Sequence, residues 1–262
     1  MNKILIILLL IPWITWGLTF PSTRFGVTDV FHLDEGAGTA FSGTLKNCKI
    51  GNHGMLWVTG KFGSALYGTG GIGNQSAAIP DNGYTQVSST NSFSYGGWFK
   101  PYAQEDKTLL LMESRTSQEF QVMPRFSSAS NGISLYIGKN GVGGASATPV
   151  IYPPSGGLDK WNFVVLTNTP LGSGSTVRIY INAISSSSVS YTVTSAPQKG
   201  PVCITGYPTD STADTCNYNS SGQCMRGSVD EVFWIKDKIL TQAEIARLYR
   251  EGLGRHAVER RY

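Results

Sequence analysis

After residue 17 the sequence contains no apolar run approaching the roughly 20 residues that a membrane-spanning helix needs. No anchor in the bilayer is therefore expected beyond that point. Histidine is scarce: His32, His53 and His256 share no zinc-like spacing with one another or with cysteine, which removes the common zinc patterns. No G-x-S-x-G segment occurs, so a serine nucleophile on a strand-to-helix elbow is not predicted. Charged residues make up only 15% of the chain, and the net charge of +4 is concentrated at its end, where Arg247 to Tyr262 carries five Arg against two Glu. The remainder is balanced, which excludes the broad basic face of a nucleic-acid-binding protein. No Pro-rich linker, charged spacer or internal repeat divides the sequence, so one domain is expected.

What is present begins with Met1, Asn2, Lys3 and an apolar stretch from Ile4 to Trp16, with Thr15 and Gly17 placed for cleavage. This reads as a secretory signal peptide over residues 1–17, followed by a domain over 18–252 and a basic tail over 253–262. The expected location is secreted or extracellular. Four cysteines in such a compartment act as staples and allow three connectivities. Cys216 with Cys224 would close a local polar loop and leave Cys48 with Cys203; Cys203 with Cys224 is the rival. Asn74 and Asn219 begin N-x-S sequons.

Nearly every segment reads as a short strand bounded by turn residues. The clearest are Phe93 to Pro101, Thr108 to Glu113, Gly132 to Gly138, Trp161 to Thr167, Val177 to Asn182, Ser188 to Thr194 and Ser228 to Ile235. Asn140-Gly141 suits a tight hairpin, and the run Ser185 to Ser188 reads as a turn. One helix is predicted near the end, where Thr241 and Glu244 form a capping box and Ile245, Leu248 and Tyr249 form an apolar stripe. An all-β, two-sheet antiparallel sandwich with a short C-terminal helix accounts for this pattern.

Six ordered motifs carry a resemblance. They are FHLDEGAGT from Phe31, GKFGSAL from Gly60, FSYGGWFKP from Phe93, KWNFVVLT from Lys160, VRIYINA from Val177 and GSVDEVFWIKDKILTQAEIARLYREG from Gly227. Together they resemble the laminin-G-like jelly-roll domains of the concanavalin A-like lectin/glucanase superfamily. The resemblance implies a jelly-roll fold and, for many relatives, a glycan ligand. Two departures stand out: LYGTGG from Leu66 replaces a Phe-Asp-Gly that can serve a calcium site, and Ala183 follows Asn182 where Gly is favoured, implying an altered turn.

Asp230 and Glu231 sit side by side in the last predicted strand. Strict alternation would place Asp230, Val232 and Trp234 on one face and Glu231, Phe233 and Ile235 on the other, so the two carboxylates could not flank one glycosidic bond. No Glu-x-Asp-x-x-Glu spacing replaces them, and both read as structural, as do Thr241 and Glu244. The stretch GTGGIG from Gly68 fits a dinucleotide fingerprint formally but lacks the following helix, and is assigned to an edge loop. His32, alternating with Leu33, is expected to pack.

Ligand contact is expected in the loop from Tyr207 to Cys224. There Asp210, Asp214 and Asn217 can hydrogen-bond to hydroxyls, while Tyr207 and Tyr218, like the loop aromatic Tyr152 elsewhere, can cover an apolar sugar face. Asp210 and Asp214 are also the candidate oxygen ligands for calcium, the one cofactor weighed. Trp98 and Trp161 are assigned to the core. The leading functional expectation is a non-enzymatic module binding a glycan or glycoprotein surface; a structural, adhesion or assembly component is the alternative, and a polysaccharide hydrolase ranks last.

Overall fold

The computed structural model describes residues 29–43, 47–50, 55–70, 77–79, 88–102, 110–112, 120–127, 132–139, 142–146, 150–151, 156–172, 174–191, 202–205 and 225–259. The expected signal peptide lies outside them, as do Asn74, Tyr152 and the whole loop from Tyr207 to Cys224, with Asp210, Asp214, Asn217 and Tyr218. Among the described residues no helix is long and apolar enough to cross a membrane.

In chain order the described strands are β1 (Asp29–Phe31), β2 (Ala40–Ser42), β3 (Asn47–Ile50), β4 (Leu56–Thr59), β5 (Ser64–Thr69), β6 (Ala77–Ile79), β7 (Phe93–Pro101), β8 (Leu110–Met112) and β9 (Phe120–Ser127). There follow β10 (Gly132–Lys139), β11 (Val142–Ser146), β12 (Val150–Ile151), β13 (Asn162–Leu171), β14 (Gly174–Ile181), β15 (Ile184–Tyr191), β16 (Val202–Ile204) and β17 (Arg226–Lys236), and then the helix α1 (Gln242–Glu259). One sheet has the order β15-β14-β13-β7-β17-β5-β4, with β1 joined to β17. The other has the order β11-β10-β9-β8-β16-β6-β3-β2, with β12 joined to β10. All pairings between these strands are antiparallel. The chain is thus an all-β jelly-roll sandwich with a C-terminal helix.

The first sheet is apolar on both faces, and the reason is visible in its strands. On β7, Phe93, Tyr95 and Phe99 enter the core between the sheets, while Trp98 enters a second cluster on the outer side. On β13, Val164 and Leu166 face inward and Phe163 and Val165 outward. Tyr95 stacks on Trp234 in the inner core, with ring centroids 5.1 Å apart. The outer cluster is covered by α1, whose Ile245 and Leu248 are fully buried against it, with Tyr249 stacked on Trp98 at 5.7 Å. The helix begins as its sequence requires. The Glu244 amide donates to Thr241 Oγ1 at 3.2 Å, the Thr241 amide donates to Glu244 Oε2 at 2.8 Å, and Lys238 adds a 2.6 Å hydrogen bond to Glu244 Oε1. Gly252 lies inside the helix because it meets Trp98: a Cβ there would fall 2.5 Å from the indole ring.

Several local expectations need correction. The serine run expected to turn is part of β15, where Ser185, Ser187 and Ser188 pair with Tyr180, Ile179 and Arg178. The buried Val189 and Tyr191 anchor that edge strand, and pairing overrides the local preference of serine for turns. Gly68 and Thr69, assigned to an edge loop, form the end of β5 against Gly227 and Arg226. The helix passes the expected domain boundary at Gly252 and runs to Glu259. Asn182 and Ala183 both adopt positive φ, at 51° and 67°, so the tight turn survives without the favoured glycine. Asn140 and Gly141 lie outside the described residues, between β10 and β11, which pair antiparallel.

The Cys48–Cys203 bridge conflicts with the sheet order. Cys48 is on β3 and Cys203 on β16, and β6 runs between them. Two strand spacings of about 4.8 Å exceed the ~7 Å Cα separation that a disulfide can span. Cys203 is itself disulfide-bonded, and Cys216 and Cys224 lie outside the described residues.

Candidate functional site

The acidic pair in β17 does not alternate as expected. Val229 and Val232 both enter the inner core although they are three positions apart, so both intervening residues leave it. The cause is a bulge: Asp230 pairs with Trp98 but Phe233 pairs with Gly96, and Glu231 takes a φ of 50°. Asp230 Oδ2 accepts a 2.9 Å hydrogen bond from the Phe62 amide, in the turn between β4 and β5. Glu231 Oε2 lies 2.8 Å from His32 Nδ1. His32 is therefore a carboxylate partner and not simply a packing residue.

Asp230 and Glu231 therefore do not lie on opposite faces, as strict alternation would have placed them. Asp230 and Glu231 are both fully buried, and Gly60 passes so close to Asp230 that a Cβ would collide with Oδ2. Burial pushes the Asp230 carboxyl well above its usual range; the Phe62 amide opposes this, while the like charges of Glu231 and Asp34 add to it. An unfolded Asp ionises near pH ~3.9. Above that pH the unfolded chain has released a proton that the folded chain retains, so this residue lowers stability as pH rises toward its folded pKa. Asp230→Asn is accordingly expected to gain on the parent protein with rising pH, a trend that urea unfolding from pH 3.5 to 7 would reveal. Parallel profiles for the two proteins would contradict a protonated Asp230.

A second constellation lies further along the outer face, beyond the part covered by α1. Leu66, Phe99 and Val229 face the inner core, so their neighbours Tyr67, Lys100 and Ser228 face outward. The sheet register aligns those three in one row, with Ser228 opposite Tyr67 on β5 and Lys100 on β7. Two residues before Ser228, Arg226 accepts the Tyr102 amide on its carbonyl at 2.9 Å, which brings Tyr102 over the row. Tyr67 and Tyr102 meet edge to face, 5.6 Å between centroids. Gly70, at a φ of 70°, lies so close to Arg226 that a side chain there would strike its Cβ.

Val58, Tyr67, Tyr102, Arg226 and Ser228 line a groove of about 400 Å³. That volume lies within the range of small-ligand sites, roughly 300–1,000 Å³. Lys100 borders it, bonded to Asp159 at 3.1 Å and placed 5.0 Å over the Tyr102 ring. Burial would lower the Lys100 pKa, but hydrogen bonds with Asp159 and Tyr102 outweigh it and raise the pKa, holding the ammonium charged. Arg226 is exposed and forms no ion pair among the described residues. Ser228 is 1% exposed, and its hydroxyl has no hydrogen-bond partner among the described residues.

None of these groove residues was a candidate from sequence. Tyr67 and Lys100 carry a usable signal, since each follows an inward-facing apolar residue in a strand, but only the register brings them together. The residues expected to bind ligand, Tyr207, Asp210, Asp214, Asn217 and Tyr218, are outside the described residues. Among those described, no group of three or more His, Cys, Asp or Glu is arranged to hold a metal ion.

Comparison with known proteins bears on fold and family. The chain spans about a third of the sialidase chains that it resembles. Trypanosoma rangeli sialidase, solved with 2,3-difluorosialic acid, matches at a TM-score of 0.55 and 12% identity, over 84% of this chain and 32% of that one. The binding domain of botulinum neurotoxin DC, solved in complex with SialylT, matches at a TM-score of 0.53 and 13% identity, over 86% of this chain and 51% of that one. The curated proteins gave no match. A laminin-G family profile, described as the concanavalin A-like lectin/glucanases superfamily, matches residues 70–246. With more than half of its length matched, and the sandwich described above, the chain belongs to the concanavalin A-like lectin/glucanases superfamily.

Proposed function

We propose that this protein is a non-enzymatic module that binds glycans, with the sugar seated in the outer-face groove. The observation carrying the proposal is the Tyr67–Tyr102 pair set beside Arg226 and the unpartnered Ser228 hydroxyl in a groove of about 400 Å³. Aromatic faces cover the apolar side of a sugar ring, and a few polar groups on rigid strands fix its orientation. The superfamily includes lectins as well as glucanases, and the structural neighbours solved with sialic-acid-type ligands are compatible with a carbohydrate partner. The binding reading is favoured over hydrolysis because Asp230 and Glu231 are buried beneath a turn and do not line the groove. Among the described residues no carboxyl pair lines the groove.

A glycan array probed with the full chain tests this directly. Binding is expected, and Tyr67→Ala with Tyr102→Ala should reduce it at least tenfold while the variant still unfolds cooperatively, since base-free apolar stacking of this kind is worth on the order of 1 kcal/mol per ring or more. Undiminished binding by the folded double variant would move the site away from the groove. A stable oligomer with no glycan bound would instead support the assembly alternative.

A further inference from the structure

The only charged side chain lining the groove among the described residues is a cation. Beside Arg226, which offers only donors, stand the apolar Val58 and the hydroxyls of Tyr67, Tyr102 and Ser228, which donate as well as accept. A second cation, Lys100, is held charged at the rim and already shared with Asp159, which is itself 71% exposed. A neutral sugar can exchange hydrogen bonds with the three hydroxyls but leaves the Arg226 charge uncompensated. An anionic, acceptor-only group answers both the guanidinium and the hydroxyl protons.

From these contacts we infer that the groove selects sugars bearing a carboxylate, a refinement that rests on the glycan-binding reading above. Arg226 is the selecting residue. Its guanidinium is exposed, is unpaired among the described residues, and carries the planar fork of donors that matches a carboxylate in a bidentate pair. Ser228 supplies the independent indication. Its nearly inaccessible hydroxyl lies on the floor of the groove between Tyr67 and Lys100, without a partner among the described residues. Buried polar groups are ordinarily satisfied, and an acceptor entering the groove would satisfy this one. The ring of the acidic sugar then rests against Tyr67 and Tyr102, its carboxylate toward Arg226, with Lys100 adding charge at the edge.

The test pairs oligosaccharides ending in glucuronic or sialic acid with the same compounds after reduction of the carboxyl to a primary alcohol. Titration calorimetry with the full chain should give about tenfold or more tighter binding to the acid forms, a difference that shrinks as salt is raised. Arg226→Gln should erase most of that preference, lowering affinity for the acid forms far more than for the reduced ones. Arg226→Lys, which keeps the charge but not the fork, should fall between. Equal affinity for acid and reduced forms would overturn the inference and leave the glycan reading standing, whereas absence of binding to any glycan would overturn both. Should Arg226→Gln fail to fold, the parent protein's preference between acid and reduced forms still decides the matter.

Discussion

Deleting every residue after Leu240 is expected to leave a product that aggregates or unfolds without a cooperative transition. Ile245 and Leu248 are both fully exposed to solvent only if the helix leaves, since each is 0% exposed in the fold. Burial of such a side chain contributes roughly 1.5–3 kcal/mol. Their loss also uncovers Trp98, Phe163 and Phe233 on the outer sheet face, all buried in the same cluster. The combined effect is comparable with the whole stability of an ordinary domain, about 5–15 kcal/mol. Expression of the truncated chain followed by thermal unfolding would check this. An unchanged midpoint would reduce the helix to an appendage.

Trp98→Ala is expected to cost about 3–5 kcal/mol, the range for removing a buried aromatic side chain. Trp98 joins otherwise separate parts of the outer layer. It meets Phe62 edge on at 6.3 Å, Phe163 at 5.1 Å and Tyr249 at 5.7 Å, and Lys61 Nζ lies 4.6 Å over its ring. A cavity here loosens the helix and the Gly60–Gly63 turn together. Trp98→Phe should cost only a fraction as much, because it keeps a ring in place and removes an indole N–H that has no partner among the described residues. Denaturant unfolding of the two variants would separate these outcomes. Equal losses would mean that the indole N–H matters in a way the packing does not reveal.

The sequence made the large periodic elements readable. β7 was legible from Phe93 to Pro101 because its residues alternate between two apolar environments, and α1 was legible from Thr241 and Glu244 because a capping box is a local signal. What it did not disclose depends on contacts between distant segments. The serines of β15 have turn chemistry locally and strand geometry only because β14 pairs with them. Glu231 has no local feature that requests a left-handed backbone, so the bulge and the resulting facing of Asp230 were beyond pattern reading. The groove was hidden for the same reason. Tyr67 and Ser228 belong to β5 and β17 and Tyr102 directly follows β7, and no spacing rule predicts that these neighbour one another. The polar loop from Tyr207 to Cys224, by contrast, is conspicuous in one dimension by its composition alone.

The bulge in β17 carries a further consequence for how this strand tolerates change in length. Before it, Asp230 is matched with Trp98; after it, Phe233 is matched with Gly96, which is one residue more than an unbroken ladder would use. Removing a single residue from most strands exchanges their two faces. Here the surplus residue is Glu231, and a chain lacking it would keep Val229 and Val232 facing inward and Phe233 facing the helix. The two halves of the strand are therefore in phase without Glu231. Its presence is dispensable to the ladder, and what it adds is a buried carboxylate held against His32, tying the first described strand to the last.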